Sequence, residues 1–350
     1  MKLGMQLAYA GGFKETVSHV RDLESAGLDT VMVPEAYTFD AVSQLGYLAA
    51  STNRIQIASG ILNVFSRTPS LLAMTAAGLD YVSDGRFVLG LGASGPQVIE
   101  GFHGLPYTAP LARTREVVAI CRQVWRREPV VHEGAHFHLP LTPEHGGSGL
   151  GKPLKLINHP VRSRVPMFLA ALGPKNIALA AELFEGWEPL FYYPERAREA
   201  FGDALAEGLG RRSPELGSLE VFADTHLLIT DDAAAQQAAL QKVREHLALY
   251  VGGMGAKGKN FYNDLAGRYG FQVEAAEVQD LYLAGHKAEA AAAVPDELVR
   301  GVSLIGDEAY VKDRVAAFTE AGATQLNVLS LRGDHPGRVA DIEALRAVLG

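Results

Sequence analysis

One cysteine, Cys121, stands among 350 residues. A lone thiol excludes an intrachain disulfide and any cysteine-built metal cluster. It sits among Val117, Val118, Ile120, Val124 and Trp125, spaced like the inner face of a helix, so the thiol reads as buried filler. Long apolar runs are also missing, and a span across a bilayer needs about 20 such residues. Positive charge is in deficit, with 32 Lys and Arg against 40 Asp and Glu and a net charge of −8. Such a chain repels nucleic acid and anionic lipid in bulk and leaves only local basic pockets for small anions. The opening MKLGMQLAY has no charged-then-apolar leader pattern, so the cytoplasm is the expected location. No GxSxG elbow and no P-loop lysine after a glycine run appear. The expected partner is a small-molecule substrate, with room for a homodimer.

What is present is a rhythm. Hydrophobic residues make up 48% of the chain, enough for a large core. Strand-like runs read at 3–9, 30–35, 54–61, 86–92, 166–171, 186–193, 219–230 and 324–331. Helical patterns lie between most of them: Phe13 to Ala26 with Gly27 as C-cap, Asp40 to Ser51 with Asp40 as N-cap, Pro69 to Val82, and a long one around 110–126. Others follow from Lys175, Glu195, Asp231 and Gly337. A continuous apolar strand before each helix is the mark of a parallel sheet covered on its faces. Eight such units predict an α/β fold of the (β/α)₈ TIM-barrel type in a single domain over 1–350. Two stretches break the rhythm, near 128–165 and 252–306, and read as insertions over the barrel mouth.

Several loops at strand ends carry candidate chemistry. GLGASGPQVIEGFHG (90–104) contains a formal GxGxxG. A dinucleotide fingerprint belongs to the first βα unit of its fold, and here three units precede it. The better reading is a glycine-rich loop where a flat ring can lie on bare backbone. ALGPKN (171–176) turns into a helix N-terminus, which suits a phosphate beside Lys175, or is an ordinary turn with an exposed lysine. SGILNVFSRTP (59–69) brings Asn63 and Arg67 after strand three. Glu35 ends strand two, where barrel enzymes place functional groups, or it is simply a solvent-facing carboxylate. His132, His136 and His138 are explained by strand alternation, so no metal site is expected.

The residues at 60–104 and 151–191, with SDGRFVLGLG, SGPQVIEGFHG and ALGPKN, resemble the bacterial luciferase-like superfamily, in its coenzyme F420-dependent oxidoreductase branch. The resemblance implies a luciferase-like barrel and a bulge after strand three with a cis peptide at Gly60–Ile61, backing the deazaflavin ring. It implies that Ala93, Ser94 and Gly95 line that ring, and that Gly173, Pro174 and Lys175 hold the cofactor phosphate, with Asn63 and Ala171 in the same cofactor-binding set. The family's sugar-phosphate dehydrogenases carry a glutamate after strand four and a histidine after strand two; here Gly95 or Pro96, and Ala36 or Tyr37, occupy those places. Acid–base work then falls to Glu35, Asp40, Glu100, His103 or Tyr192, with Glu35 and His103 taken as the catalytic candidates. Hydride transfer with F420 is the expected activity. The alternatives are an FMN-dependent monooxygenase of the same fold and a catalytically silent F420- or flavin-binding protein.

Overall fold

The computed structural model describes residues 1–8 and 12–349. Strands β1 (Lys2–Gln6), β2 (Thr30–Val33) and β3 (Gln56–Ser59) come from the first three apolar runs. A two-residue strand β4 (Leu62–Asn63) follows, then β5 (Phe87–Gly92). A short antiparallel hairpin, β6 (His132–Glu133) and β7 (His138–Leu139), stands apart from the main sheet. The barrel continues with β8 (Met167–Ala170), β9 (Gly186–Glu188), β10 (Glu220–Ile229), β11 (Ser303–Gly306) and β12 (Gln325–Ser330).

Eight of these strands close on themselves, all parallel, in the order β1, β2, β3, β5, β8, β9, β10, β12 and back to β1. The expected (β/α)₈ barrel is therefore the architecture. Most strands lead into a helix that packs on the outside. Helix ends follow the predicted signals: Asp40 caps Ala41–Ser51 through Ser43, Thr68 caps Pro69–Val82, and Gly27 takes a left-handed φ of +104° after Phe13–Ser25.

The structure differs from the sequence reading at three strands. The run 186–193 is strand only to Glu188, because Pro189 has no N–H to donate and Phe191 takes a left-handed φ of +56°. The strand read over 3–9 ends at Gln6, and its last position, Tyr9, lies outside the described residues. β11 lies inside the segment read as an insertion and pairs with the far half of β10, from His226 to Ile229. Four residues between helices, Ser-Leu-Ile-Gly, give too little periodicity to be seen as a strand.

The core has two layers. Most buried side chains lie between strands and outer helices. A smaller set, Met32, Ala58, Val88, Phe168 and Phe222, fills the barrel interior. Gly90 is needed for this filling: a Cβ there would strike the Ser59 carbonyl and the Phe168 ring. SDGRF works at the opposite end from the candidate site. Asp84 and Gly85 turn with positive φ, and Arg86 donates to the carbonyls of Ala49, Thr52, Ile55 and Ser83. A guanidinium that satisfies the orphan carbonyls of a helix end is structural glue.

Candidate active site

The C-terminal strand ends build a continuous surface around the bulge after β3. The Gly60–Ile61 peptide is cis. Its position is fixed on three sides: Gly60 N–H donates to Val33 O (2.9 Å), Gln6 Nε2 donates to Gly60 O (2.9 Å), and Ile61 packs on Gly92. Ser59 Oγ joins Gly90 by hydrogen bonds of 2.9 Å to both its N–H and its carbonyl. Asn63 is buried, and its Oδ1 accepts the N–H groups of Phe65 (3.0 Å) and Ser66 (2.7 Å). It shapes the loop rather than facing it with a free acceptor.

The next loop carries Ala93, Ser94 and Gly95. Ser94 has φ +56°, and its carbonyl accepts the Tyr107 hydroxyl at 3.2 Å. Gly95 starts the short helix Pro96–Ile99 with no side-chain cap. His103 lies just beyond, its Nε2 shielded and without a hydrogen-bond partner in the described residues. Glu100 accepts the Tyr107 N–H at 3.2 Å. Across the mouth, Ala171 is buried and its carbonyl accepts the Trp187 indole N–H at 2.9 Å. Gly173 caps helix Pro174–Leu183 without any side-chain bond, and a Cβ there would meet only the Phe261 ring at 3.7 Å and Asn176 Nδ2 at 4.0 Å. Lys175 is exposed and makes no ion pair among the described residues. An uncapped helix start beside a free ammonium fits an anionic cofactor group, and the bulge beside Gly92 fits a flat ring.

Glu35 is occupied. Arg67 grips it with two parallel bonds, Nη1 to Oε1 at 2.8 Å and Nη2 to Oε2 at 2.7 Å, and also donates to Asp40 at 2.7 Å. The Ala41 N–H adds a bond to Glu35 at 3.2 Å. Against the upward push of burial, the Ser43 hydroxyl and N–H, and then the Arg67 guanidinium, hold the Asp40 carboxyl below its usual range, and the bond to Glu35 raises Arg67. Arg67 is thereby committed to these carboxylates and is not a spare anion contact. Tyr192 lies away from the mouth: its hydroxyl donates to Ala321 O, and burial pushes it up to about 12.

Sequence reasoning missed a second polar cluster, inside the barrel. Asp224 on β10 stands directly across from Asn327 on β12, and Asn327 Nδ2 donates to Glu188 Oε1 at the end of β9 (3.0 Å). The Asn327 amide is oriented from the other side, because its oxygen accepts Gln325 Nε2 at 2.7 Å. Gly4 on β1 leaves the space that the Asn327 side chain fills. Burial raises both carboxyls, Asp224 to about 7, and the neighbouring Asp224 charge drives Glu188 further up. Beside them, His226 Nε2 and His246 Nδ1 lie 2.9 Å apart. Burial depresses both rings, His226 to about 3, so the pair is neutral. Asp224, His226, His246, Asn327 and Gln6 line a cavity of about 60 Å³ at the C-terminal end of the barrel. The signal was present in the sequence: Phe222, Asp224 and His226 alternate on one face of a strand expected to be apolar on both.

A larger cavity of about 280 Å³ opens at the other end, lined by Lys2, Gln56 and Gln325 among others. It is remote from the bulge and from both glycine loops, so size does not identify the site here. The three histidines of the hairpin do not converge. His132 pairs with Glu116 (3.2 Å), while His138 pairs with Glu133 (2.6 Å) and stacks on His145 with centroids 3.5 Å apart. Glu133, His138 and His145 nevertheless bring one ligand atom each within 4.8 Å of one another, with the two imidazoles stacked in parallel.

Comparison with known proteins gives one family. The model of the luciferase-like monooxygenases matches residues 1–325. A Mycobacterium tuberculosis protein named "Putative coenzyme F420-dependent oxidoreductase" is 44% identical over 352 residues, covering 99% of each chain. The 5,10-methylenetetrahydromethanopterin reductase of Archaeoglobus fulgidus is 26% identical over 333 residues, covering 93% of this chain and 92% of its own. Among solved structures, the coenzyme F420-dependent tetrahydromethanopterin reductase of Methanopyrus kandleri superposes with a TM-score of 0.77 at 20% identity, covering 98% and 97%. That last likeness carries the fold.

Proposed function

The chain belongs to the luciferase-like monooxygenase family, and from that premise we propose that it is a coenzyme F420-dependent oxidoreductase that moves a hydride between the deazaflavin and an organic substrate. The observation that carries this reading is the full-length 44% identity to a relative named for F420. The local geometry agrees with it. The Gly60–Ile61 bulge and Gly92 would back the ring, Ala93, Ser94 and Gly95 would border it, and Asn63 and Ala171 would hold the two loops in shape. Gly173, Pro174 and Lys175 would take the phosphate. When bound, F420 supplies the carbon centre that gives or takes a hydride, and a deazaflavin does not readily activate oxygen. Reduction or dehydrogenation of a small molecule follows, rather than oxygenation.

Of the two catalytic candidates, Glu35 is a poor base, since a guanidinium fork fills both its oxygens. It braces the loop that follows β2. His103 follows the ring loop with an Nε2 that is unpaired among the described residues but shielded, so it remains the candidate of the two. No helix of the described residues is long and apolar enough to cross a membrane. The reading places the enzyme in the cytoplasm and leaves room for a homodimer.

Titration of F420 and of FMN against the purified protein and Lys175→Ala tests the reading. Tight F420 binding is expected, weakened roughly ten- to a hundred-fold in the variant, the range of one charge-assisted bond. Tight FMN binding with no measurable F420 binding overturns it. Equal F420 affinity in the variant removes only the role of Lys175.

A further inference from the structure

We propose that Glu188 and Asp224 share one proton inside the barrel and deliver it to the substrate as it is reduced. The proposal rests on the F420 reading for the hydride, and on the barrel geometry for the proton. Both carboxyls project into the barrel interior, and the Asn327 amide lies between them. The direction of that amide is set by a polar chain: Thr30 Oγ1 lies 3.3 Å from Gln325 Oε1, Gln325 donates to Asn327 Oδ1, and only the Asn327 N–H groups are left for the carboxyls. One neutral amide cannot balance two negative charges.

Side chains from four elements surround Asp224 and its neighbour Asn327. β1 contributes Gln6, β12 contributes Asn327 and Gln325, β10 contributes His226, and helix Ala233–Ala248 contributes His246. No lysine or arginine among the described residues lines this cavity. His226 and His246 are kept neutral by burial and supply no compensating charge. Two carboxylates in such a place cannot both stay ionised, so one proton is retained at neutral pH.

The position is useful as well as the charge. Asp224 lines the cavity together with Gln6, and Gln6 donates to the Gly60 carbonyl of the bulge. The proton thus waits one side chain from the peptide that would back the ring. The substrate class that needs this is an electrophilic C=O or C=N compound. Its carbon gains the hydride, its π pair moves to oxygen or nitrogen, and a carboxyl O–H bond breaks to protonate that atom. The substrate is reduced by two electrons, the reduced deazaflavin is oxidised, and the pair regains its proton from solvent through the cavity mouth.

The decisive experiment needs no substrate. Infrared difference spectra of the wild-type protein at pH 7 should show a protonated-carboxyl band that is absent from E188Q/D224N. D224N alone should move the band's titration midpoint down, since Glu188 no longer faces a second charge. F420 fluorescence titration runs in parallel. The variants should bind F420 within about threefold of wild type, because the pair does not hold the cofactor. With reduced F420 and a panel of ketone and cyclic iminium acceptors, any acceptor that wild type turns over should lose about 10²- to 10⁴-fold in kcat with E188Q/D224N. A wild-type spectrum without the band, or a band that survives in the double variant, overturns the proposal. Unchanged turnover in the double variant does so too. Loss of F420 binding by wild type with the band present overturns the cofactor reading and leaves the shared proton standing.

Discussion

Glu35, just after β2, and Glu188, the last residue of β9, stand at the same mouth, and both are largely enclosed, yet their surroundings are opposite. Glu35 has a guanidinium on both oxygens and a backbone N–H besides. Glu188 has one neutral amide and a second carboxyl nearby. Enclosure alone therefore does not say what a carboxylate does. The first is paired with Arg67 through both oxygens and serves as a brace across two loops. The second is pushed toward its neutral acid, a form that can give up a proton. The sign of the nearest charge separates the two roles.

Replacing Arg67 by Met should produce the largest effect. It leaves Glu35 enclosed with only the Ala41 N–H and no countercharge, and such a loss costs about 3–5 kcal/mol. Urea unfolding at pH 7 measures it. Arg67→Lys should recover only part, because an ammonium cannot make the two parallel bonds. Full recovery by lysine would show that charge, not the fork, is what matters.

E188Q/D224N should move stability the other way. A carboxyl raised in the folded state contributes stability fully below the unfolded value, about 4, and loses it as pH rises through the folded value. With Asp224 near 7, the wild-type protein should lose stability between about pH 4 and 7, and the double variant should lose less. At pH 8 the variant should be the more stable by about 2 kcal/mol, as for other enclosed charges replaced by neutral groups. Thermal melts across that range check it, and a variant less stable than wild type at pH 8 would equate the two clusters.

His226 sharpens the contrast from the acid side. Its folded value is depressed to about 3, so the unfolded chain binds the extra proton between about pH 3 and 6.5. Its contribution is present above that window and lost as pH falls through it. Replacing His226 by Asn should flatten the acid arm of the stability profile by up to about 1.4 kcal/mol per pH unit, the weight of one proton. The smallest effect on stability is expected at Lys175. Lys175→Ala should change unfolding by less than about 0.5 kcal/mol, as for exposed residues without partners. A larger change would mean that this helix start is a structural element.

Much of the barrel was legible from the strand–turn–helix repeats, because a buried parallel strand is apolar along its whole length and its helix ends carry caps. β11 was not, since Ser303–Gly306 is too short to show a period and is paired only with half of β10. The end of β9 was overrun because 189–193 stays apolar after Pro189 has ended the ladder. The glycine loops and the bulge were placed through family likeness. Sequence alone did not separate their glycines: Gly90 is fixed by packing against Ser59 and Phe168, while Gly95 has only the Gln97 side-chain oxygen, 3.1 Å from a built Cβ.

The sequence by itself determined the repeating units, their order and the end of the barrel at which the loops gather. Those features are local, written in periodicity, caps and turn residues within a few positions of one another. Partnership was decided only by the tertiary structure. Glu35 meets Arg67 from 32 residues away, and Glu188 meets Asn327 from 139. Which carboxylate finds a guanidinium and which finds another carboxylate depends on how the strands stagger around the barrel. A carboxylate's charge follows from its neighbours in space, and no local pattern records them.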